Sequence, residues 1–236
     1  MTTVLITGAN RGLGLGLARL YAKDGAKVFA CCRNPEAAED LSELASNGNV
    51  IVEALDVADG ESVDALKASI GDEPIDILLN VAGYYGKAIV TAPGGLQEFG
   101  TTDYEEWQTI LEINVMGPMR MAEAFVENVA ASEQKKIVTL SSILGSIGGN
   151  TSGKIYEYRA SKAAVNAIMR SMGIDLKVRG IIAVPMHPGW VRTDMGGPKA
   201  DIDADASVSG MKQVIDGLSL PDAGRFVTYD GGELPW

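Results

Sequence analysis

The feature that most constrains this chain is an alternation. Short runs rich in Val, Ile, Leu and Thr, apolar on both faces, are separated by longer amphipathic runs. The short runs are Thr3–Thr7, Lys27–Cys32, Val50–Asp56, Ile75–Val81, Lys136–Ser141, Ile181–His187 and Arg225–Tyr229. Helical periodicity covers Leu13–Asp24, Pro35–Ser46, Gly60–Ile70, Thr102–Ala131, Tyr156–Val178 and Ala204–Leu218. A strand that is apolar on both faces has to be covered on both, and strands separated by helices pair in parallel. The pattern therefore predicts an α/β fold, a doubly wound parallel sheet. With 236 residues and no low-complexity linker, one domain over 1–236 is expected, with a mobile loop at Gly196–Ala206.

Charge narrows the partners. Twenty basic against 31 acidic residues give a net charge of −11, which repels nucleic-acid backbones and anionic membranes. Any anion held here needs a local site. The amino terminus has a short apolar run without a basic leader, so the chain is expected to be cytoplasmic, with no signal peptide or membrane span. Cys31 and Cys32 are neighbours on a strand and point to opposite faces, which suggests no disulfide. With His187 the one histidine, no Cys/His metal cluster can form, and no metal is expected. A strand-end histidine with satisfied local hydrogen bonds is the expectation for His187. Met116, Met119 and Met121 are expected to pack in the core or between subunits.

In doubly wound folds ligands bind beyond the carboxyl ends of the strands. The first strand runs into "TGANRGLG", in which Gly8, Gly12 and Gly14 lead into a helix. Glycines there allow a tight turn and close approach of a diphosphate, and the helix start offers free N–H donors. A glycine-rich turn without a ligand would have the same sequence. The second strand ends at Arg33, where an acid would be needed to accept hydrogen bonds from a ribose; Arg33 and Arg11 instead suit a 2′-phosphate, with solvated loop arginines as the alternative. Asp56, closing the third strand, can accept from an adenine amino group or cap the following turn. In "YRASK", Tyr158 and Lys162 stand four residues apart on a helix, so their polar ends share a face. An exposed surface pair would have that spacing too.

Taken in order, these elements resemble the short-chain dehydrogenase/reductase family, and the likeness spans nearly the whole chain. "TGANRGLG" is similar to its TGxxxGxG cofactor loop, "NVAG" at Asn80–Gly83 to its NNAG element, and Tyr158 with Lys162 to its Tyr-x-x-x-Lys pair. Asn114 in "INVMG" and Ser142 in "TLSSILG" match its active-site asparagine and serine; Pro188, Gly189 and Thr193 match the segment that holds the nicotinamide amide. "SSILGSIGGNTSG", "YRASKAAVN" and "DGGELPW" resemble the sniffer-type carbonyl reductase and C-factor-like branch. Val81 replaces an asparagine of the NNAG element. The segment from Ser142 to Tyr158 is longer than in many members, which leaves Ser141 as an alternative to Ser142.

The resemblance implies a Rossmann fold and hydride transfer between NADP(H), preferred over NAD(H), and a carbonyl or secondary alcohol, with Asn114, Ser142, Tyr158 and Lys162 catalytic. It implies a cofactor site formed by Gly8, Asn10, Arg11, Gly12, Leu13 and Gly14, by Arg33, Asp56 and Val57, and by Asn80, Ala82 and Gly83. Tyr158, Lys162, Pro188, Gly189, Val191 and Thr193 complete it. Tyr158 would be the proton donor, its pKa lowered by the Lys162 ammonium; Lys162 would also bond the ribose, Ser142 would hold the carbonyl oxygen, and Asn114 would hold a water on the proton path. Tyr84, Tyr85, Leu144, Trp190 and Met195 follow strand ends and could line the substrate pocket, with a substrate loop near 193–207. Homodimers or tetramers would form through the Thr102–Ala131 and Tyr156–Val178 helices, where Ala160, Ala163, Ala164 and Ala167 permit close packing. The alternative is a nucleotide-binding signalling or regulatory protein on the same fold, for which a broken Ser, Tyr or Lys would be the mark; none is broken here.

Overall fold

A computed structural model of the chain describes residues 1–46, 48–87 and 98–236. Its strands are β1 (Thr3–Thr7), β2 (Lys27–Cys32), β3 (Val50–Ala54), β4 (Ile77–Asn80), β5 (Lys136–Leu140), β6 (Ile182–His187) and β7 (Val227–Thr228). They form one parallel sheet in the order β3-β2-β1-β4-β5-β6-β7. The helices are α1 (Gly12–Lys23), α2 (Glu39–Ala45), α3 (Gly60–Ile70), α4 (Tyr104–Leu111), α5 (Gly117–Ala130), α6 (Tyr156–Asp175) and α7 (Ala204–Gly217).

Alternate residues of each strand feed opposite cores. Val4 and Ile6 of β1 join α1 and α7 through Leu17, Tyr21, Met211 and Ile215, while Leu5 faces α3, α5 and α6 through Leu66, Phe125 and Met169. This is the double cover that the apolar strands require. Five expected strands, β3 to β7, are shorter than their apolar runs by one to three residues; at the start of β4, for example, the Ile75 N–H turns to the Asn128 carbonyl.

The run Thr102–Ala131 is broken into α4, a π-helical turn at Glu112–Met116, and α5. Pro118 supplies the reason. It has no N–H to give the carbonyl four residues back, that of Asn114, and its ring crowds that carbonyl, so the helix widens there. Such turns gather at functional sites. Of the three methionines nearby, Met121 is fully buried, whereas Met116 and Met119 are partly exposed. No helix among the described residues is long and apolar enough to cross a membrane.

Sheet order places the switch point between β1 and β4. There Thr7 sits opposite Asn80, and the Thr7 hydroxyl accepts from the N–H groups of Val81 and Ala82, both at 3.0 Å. The turn after β1 and the turn after β4 are thus locked side by side, as are the ends of β5 and β6, where Leu140 pairs with Met186.

Candidate active site

The glycine turn is built for close approach. Gly8 has φ +67°, and a Cβ there would lie 2.8 Å from Ala82 Cα; one on Gly14 would lie 2.2 Å from the Gly8 carbonyl oxygen. Neither position tolerates a side chain. Arg11, at the N-cap of α1, makes no side-chain cap, whereas Asp59 and Asp103 cap α3 and α4. The starts of α2, α5, α6 and α7 also lack a side-chain cap, but that of α1 follows the glycine turn, where its first N–H groups can receive an anion. Thr193 packs beside this turn: a Cβ on Gly12 would lie 3.8 Å from its Cγ2. Asn80, at the end of β4, donates to Thr139 while its Oδ1 is buried with no partner. A pre-formed turn, an uncapped helix start and an orphaned buried acceptor at one crevice fit a dinucleotide.

Other expected cofactor residues are arranged differently. Arg11 is paired with Asp194 at 2.8 Å, both side chains being mostly exposed, so it ties the glycine turn to the loop after Thr193. Arg33 is exposed at the end of β2. Asp56 Oδ1 accepts from the Ala58 N–H at 3.0 Å, the turn cap that was its alternative. Val57 is buried against Gly117.

The catalytic candidates converge. Tyr158 and Lys162 lie in the first two turns of α6, both over nine-tenths buried, with Lys162 Nζ 5.6 Å from the Tyr158 ring centre. An exposed pair is excluded. Ser142, just after β5, hydrogen-bonds the Tyr158 side chain and accepts from the Leu144 N–H at 3.1 Å. Ser141 points elsewhere, donating to Asn166 Oδ1 at 2.6 Å. Gly145 lets this turn press on α6, since a Cβ there would lie 2.7 Å from the Lys162 carbonyl carbon. Asn114, in the π turn, is buried and fully engaged: its Oδ1 accepts from the Tyr84 N–H, and its Nδ2 donates to the Tyr84 carbonyl and Ser161 Oγ. The side chain is thereby committed to the Tyr84 segment and to α6, and the Asn114 backbone carbonyl is the one that Pro118 cannot bond. Gly83 brings the β4 turn alongside, with an added Cβ 3.6 Å from Asn114 Oδ1 and 3.8 Å from Lys162 Nζ.

The protonation balance differs from expectation. Burial, then the neighbouring Tyr85, push Tyr158 well above its ordinary value, and the Ser142 hydrogen bond offsets only part of this. Burial brings Lys162 itself down to about 8, with its Nζ donating to the Leu140 carbonyl at 2.9 Å. Two groups losing hydration together outweigh the attraction of one for the other's charge. The phenol consequently keeps its proton, the state a general acid needs.

Around Tyr158 lies a small apolar cluster of Tyr85, Ile155 and Leu144, the two tyrosine rings 4.7 Å apart between centres. Tyr84 is turned away, its hydroxyl donating to Glu106 at 2.7 Å. Trp190 and Met195 remain partly exposed, with the Trp190 indole donating to the Gly196 carbonyl. Ile155 went unnoticed in the sequence. It stands at φ +56°, beside Lys154 at φ +55°, a backbone region that costs a β-branched residue about 1–3 kcal/mol. His187 also departs from expectation: its Nδ1 is buried without a hydrogen-bond partner, and burial lowers its pKa to about 4. It is neutral near pH 7.

Fold and site together define a Rossmann-type protein with a Ser-Tyr-Lys centre beside a glycine turn. Residues 2–203 match the family model for short chain dehydrogenase, and the chain belongs to that family of oxidoreductases. It is 40% identical over 172 residues to the C-signal of Myxococcus xanthus, covering 73% of this chain and 99% of that protein. Its structure is similar to that of the carbonyl reductase Sniffer of D. melanogaster, with TM-score 0.91 and 36% identity over the whole of both chains. The NADPH-bound carbonyl reductase from chicken fatty liver also has TM-score 0.91, at 32% identity over 100% of this chain and 99% of that one.

Proposed function

We propose that this protein is an NADPH-dependent reductase of apolar aldehydes or ketones, with Tyr158 as general acid. The observation that carries the reading is the buried convergence of Ser142, Tyr158 and Lys162 beside the glycine turn. When bound, the nicotinamide supplies the hydride. Gly8, Gly14 and the open start of α1 would hold its diphosphate, and Arg33 the 2′-phosphate. The Ser142 hydroxyl donates to the substrate carbonyl oxygen and polarises it. As that oxygen gains negative charge, the Tyr158 hydroxyl gives it a proton, and Lys162 stabilises the phenolate left behind. Burial holds the proton on Tyr158, the protonation state in which it can donate to a carbonyl oxygen.

Loss of NADPH absorbance with a panel of aldehydes and ketones tests this. Tyr158→Phe removes only the hydroxyl, so turnover falls by a factor on the order of 10²–10⁴ while folding and NADPH binding survive. A variant that binds NADPH and reduces its best substrate at the native rate refutes the assignment. The likeness to the C-signal supports a second reading, a nucleotide-binding signalling protein. Tight NADPH binding with no turnover across the panel would favour it.

A further inference from the structure

Arg159 sits inside the "YRASK" segment but plays no part in the chemistry above. Its guanidinium spans the long loop between Ser142 and Tyr158. Nε donates to the carbonyls of Gly153 and Lys154 at 3.2 and 3.1 Å, Nη2 to Ser152 Oγ at 2.8 Å, and Nη1 to the Leu144 carbonyl at 3.4 Å. Both ends of the loop are thereby tied to one side chain. The loop's middle is held from the other side by the end of the chain: the Trp236 carbonyl accepts from the Gly148 N–H at 2.7 Å, and the Trp236 ring stacks on Phe226.

What this holding secures is the left-handed pair Lys154 and Ile155. A conformation that a β-branched residue disfavours persists where its surroundings over-determine it, and Arg159 bonds the Lys154 carbonyl within that pair. In return Ile155, with Leu144 at the loop's other end, is set against Tyr158 and Tyr85. A carbonyl oxygen that reaches both Ser142 and Tyr158 brings its substituents against these side chains.

We propose that Arg159 is a positioning residue that holds Leu144 and Ile155 against Tyr158, and so selects aromatic or branched carbonyl compounds over short ones. This rests on the reductase reading above. The test compares the native chain with Arg159→Ala and Arg159→Lys, using benzaldehyde and propanal as probes. Arg159→Ala should raise the KM for benzaldehyde about tenfold or more, the effect of one lost charge-assisted bond, with kcat, the propanal KM and NADPH binding little changed. Arg159→Lys, with a single donor head, should fall between, and added ethylguanidinium should lower the raised KM of Arg159→Ala. Amide hydrogen exchange, which needs no turnover, should show faster exchange across residues 144–155 in Arg159→Ala. Equal losses with both aldehydes, or unchanged exchange in that loop, overturn the proposal. Failure of the native chain to reduce either aldehyde would instead strike the reductase reading, and would be seen before any variant is made.

Discussion

Replacing Lys162 by methionine should make the ligand-free protein more stable while abolishing its activity. Lys162 is buried and brought from 10.5 down to about 8. That difference corresponds to roughly 3 kcal/mol of stability lost by keeping the ammonium at neutral pH. The unfolded chain holds the proton up to 10.5, whereas the folded chain has released it above about 8, so stability rises with pH between these values. Below about 8 the cost is present in full. Methionine fills similar space without charge but gives up the bond to the Leu140 carbonyl, worth ~1 kcal/mol. The net gain at pH 7 is therefore on the order of 1–3 kcal/mol, comparable to other exchanges of buried charges for apolar groups. Urea unfolding of both proteins without nucleotide, at pH 7, 8, 9 and 10, measures it. Comparing the two proteins cancels groups that titrate alike in both, and the advantage should change little between pH 7 and 8 and shrink from pH 8 to 10. Saturating NADPH should reverse the order, since binding at 100 times the dissociation constant adds ~2.7 kcal/mol to the protein that retains the site. A variant less stable than the native protein at pH 7, or an advantage independent of pH, would refute the claim that burial of this ammonium is a cost.

Arg33→Asp should weaken NADPH binding roughly 10- to 150-fold, the loss of a charge-assisted bond, and leave NADH binding near its native value; native protein that binds NADH at least as tightly as NADPH excludes the role given to Arg33. The two adjacent serines should separate cleanly. Ser142→Ala should cut turnover by a factor on the order of 10²–10³ with little change in melting, while Ser141→Ala, stripping a buried bond to Asn166, should cost about 1–3 kcal/mol in stability and spare turnover. The opposite pattern would exchange their assignments. Gly8→Ala forces a side chain into φ +67° and against Ala82, so urea unfolding should register a loss on the order of 2 kcal/mol or more; an unchanged midpoint would show that the turn has room.

Much of the fold was legible because its determinants are local. Apolar runs of strand length between amphipathic runs leave few arrangements, and a parallel sheet covered on both faces satisfies them. The break in Thr102–Ala131 is not read from periodicity, which gives that run as one helix, although Pro118 stands four residues after Asn114. Facing in irregular segments is different. Tyr84 and Tyr85 are chemically identical neighbours beyond a strand end, where no period says which one turns inward. A distant partner decides: Glu106 takes the Tyr84 hydroxyl, and Tyr85 is left to meet Tyr158. Ile155 shows the same limit from the backbone side, for nothing in its own identity favours a left-handed conformation.

The sign of the Tyr158 shift marks where spacing alone stops being informative. Four residues of helix guarantee that Tyr158 and Lys162 are close, and closeness in water would mean a phenol made more acidic by an ammonium. That conclusion silently assumes that both charged forms stay hydrated. Both groups are instead enclosed by the Ser142 turn, the Gly83 turn and the π turn carrying Asn114, three segments far apart in sequence. Enclosure moves the pair toward neutral tyrosine and a lysine poised near 8. Proximity is thus a local property and charge state a tertiary one, so the same five-residue segment on a solvated helix would carry the opposite electrostatics.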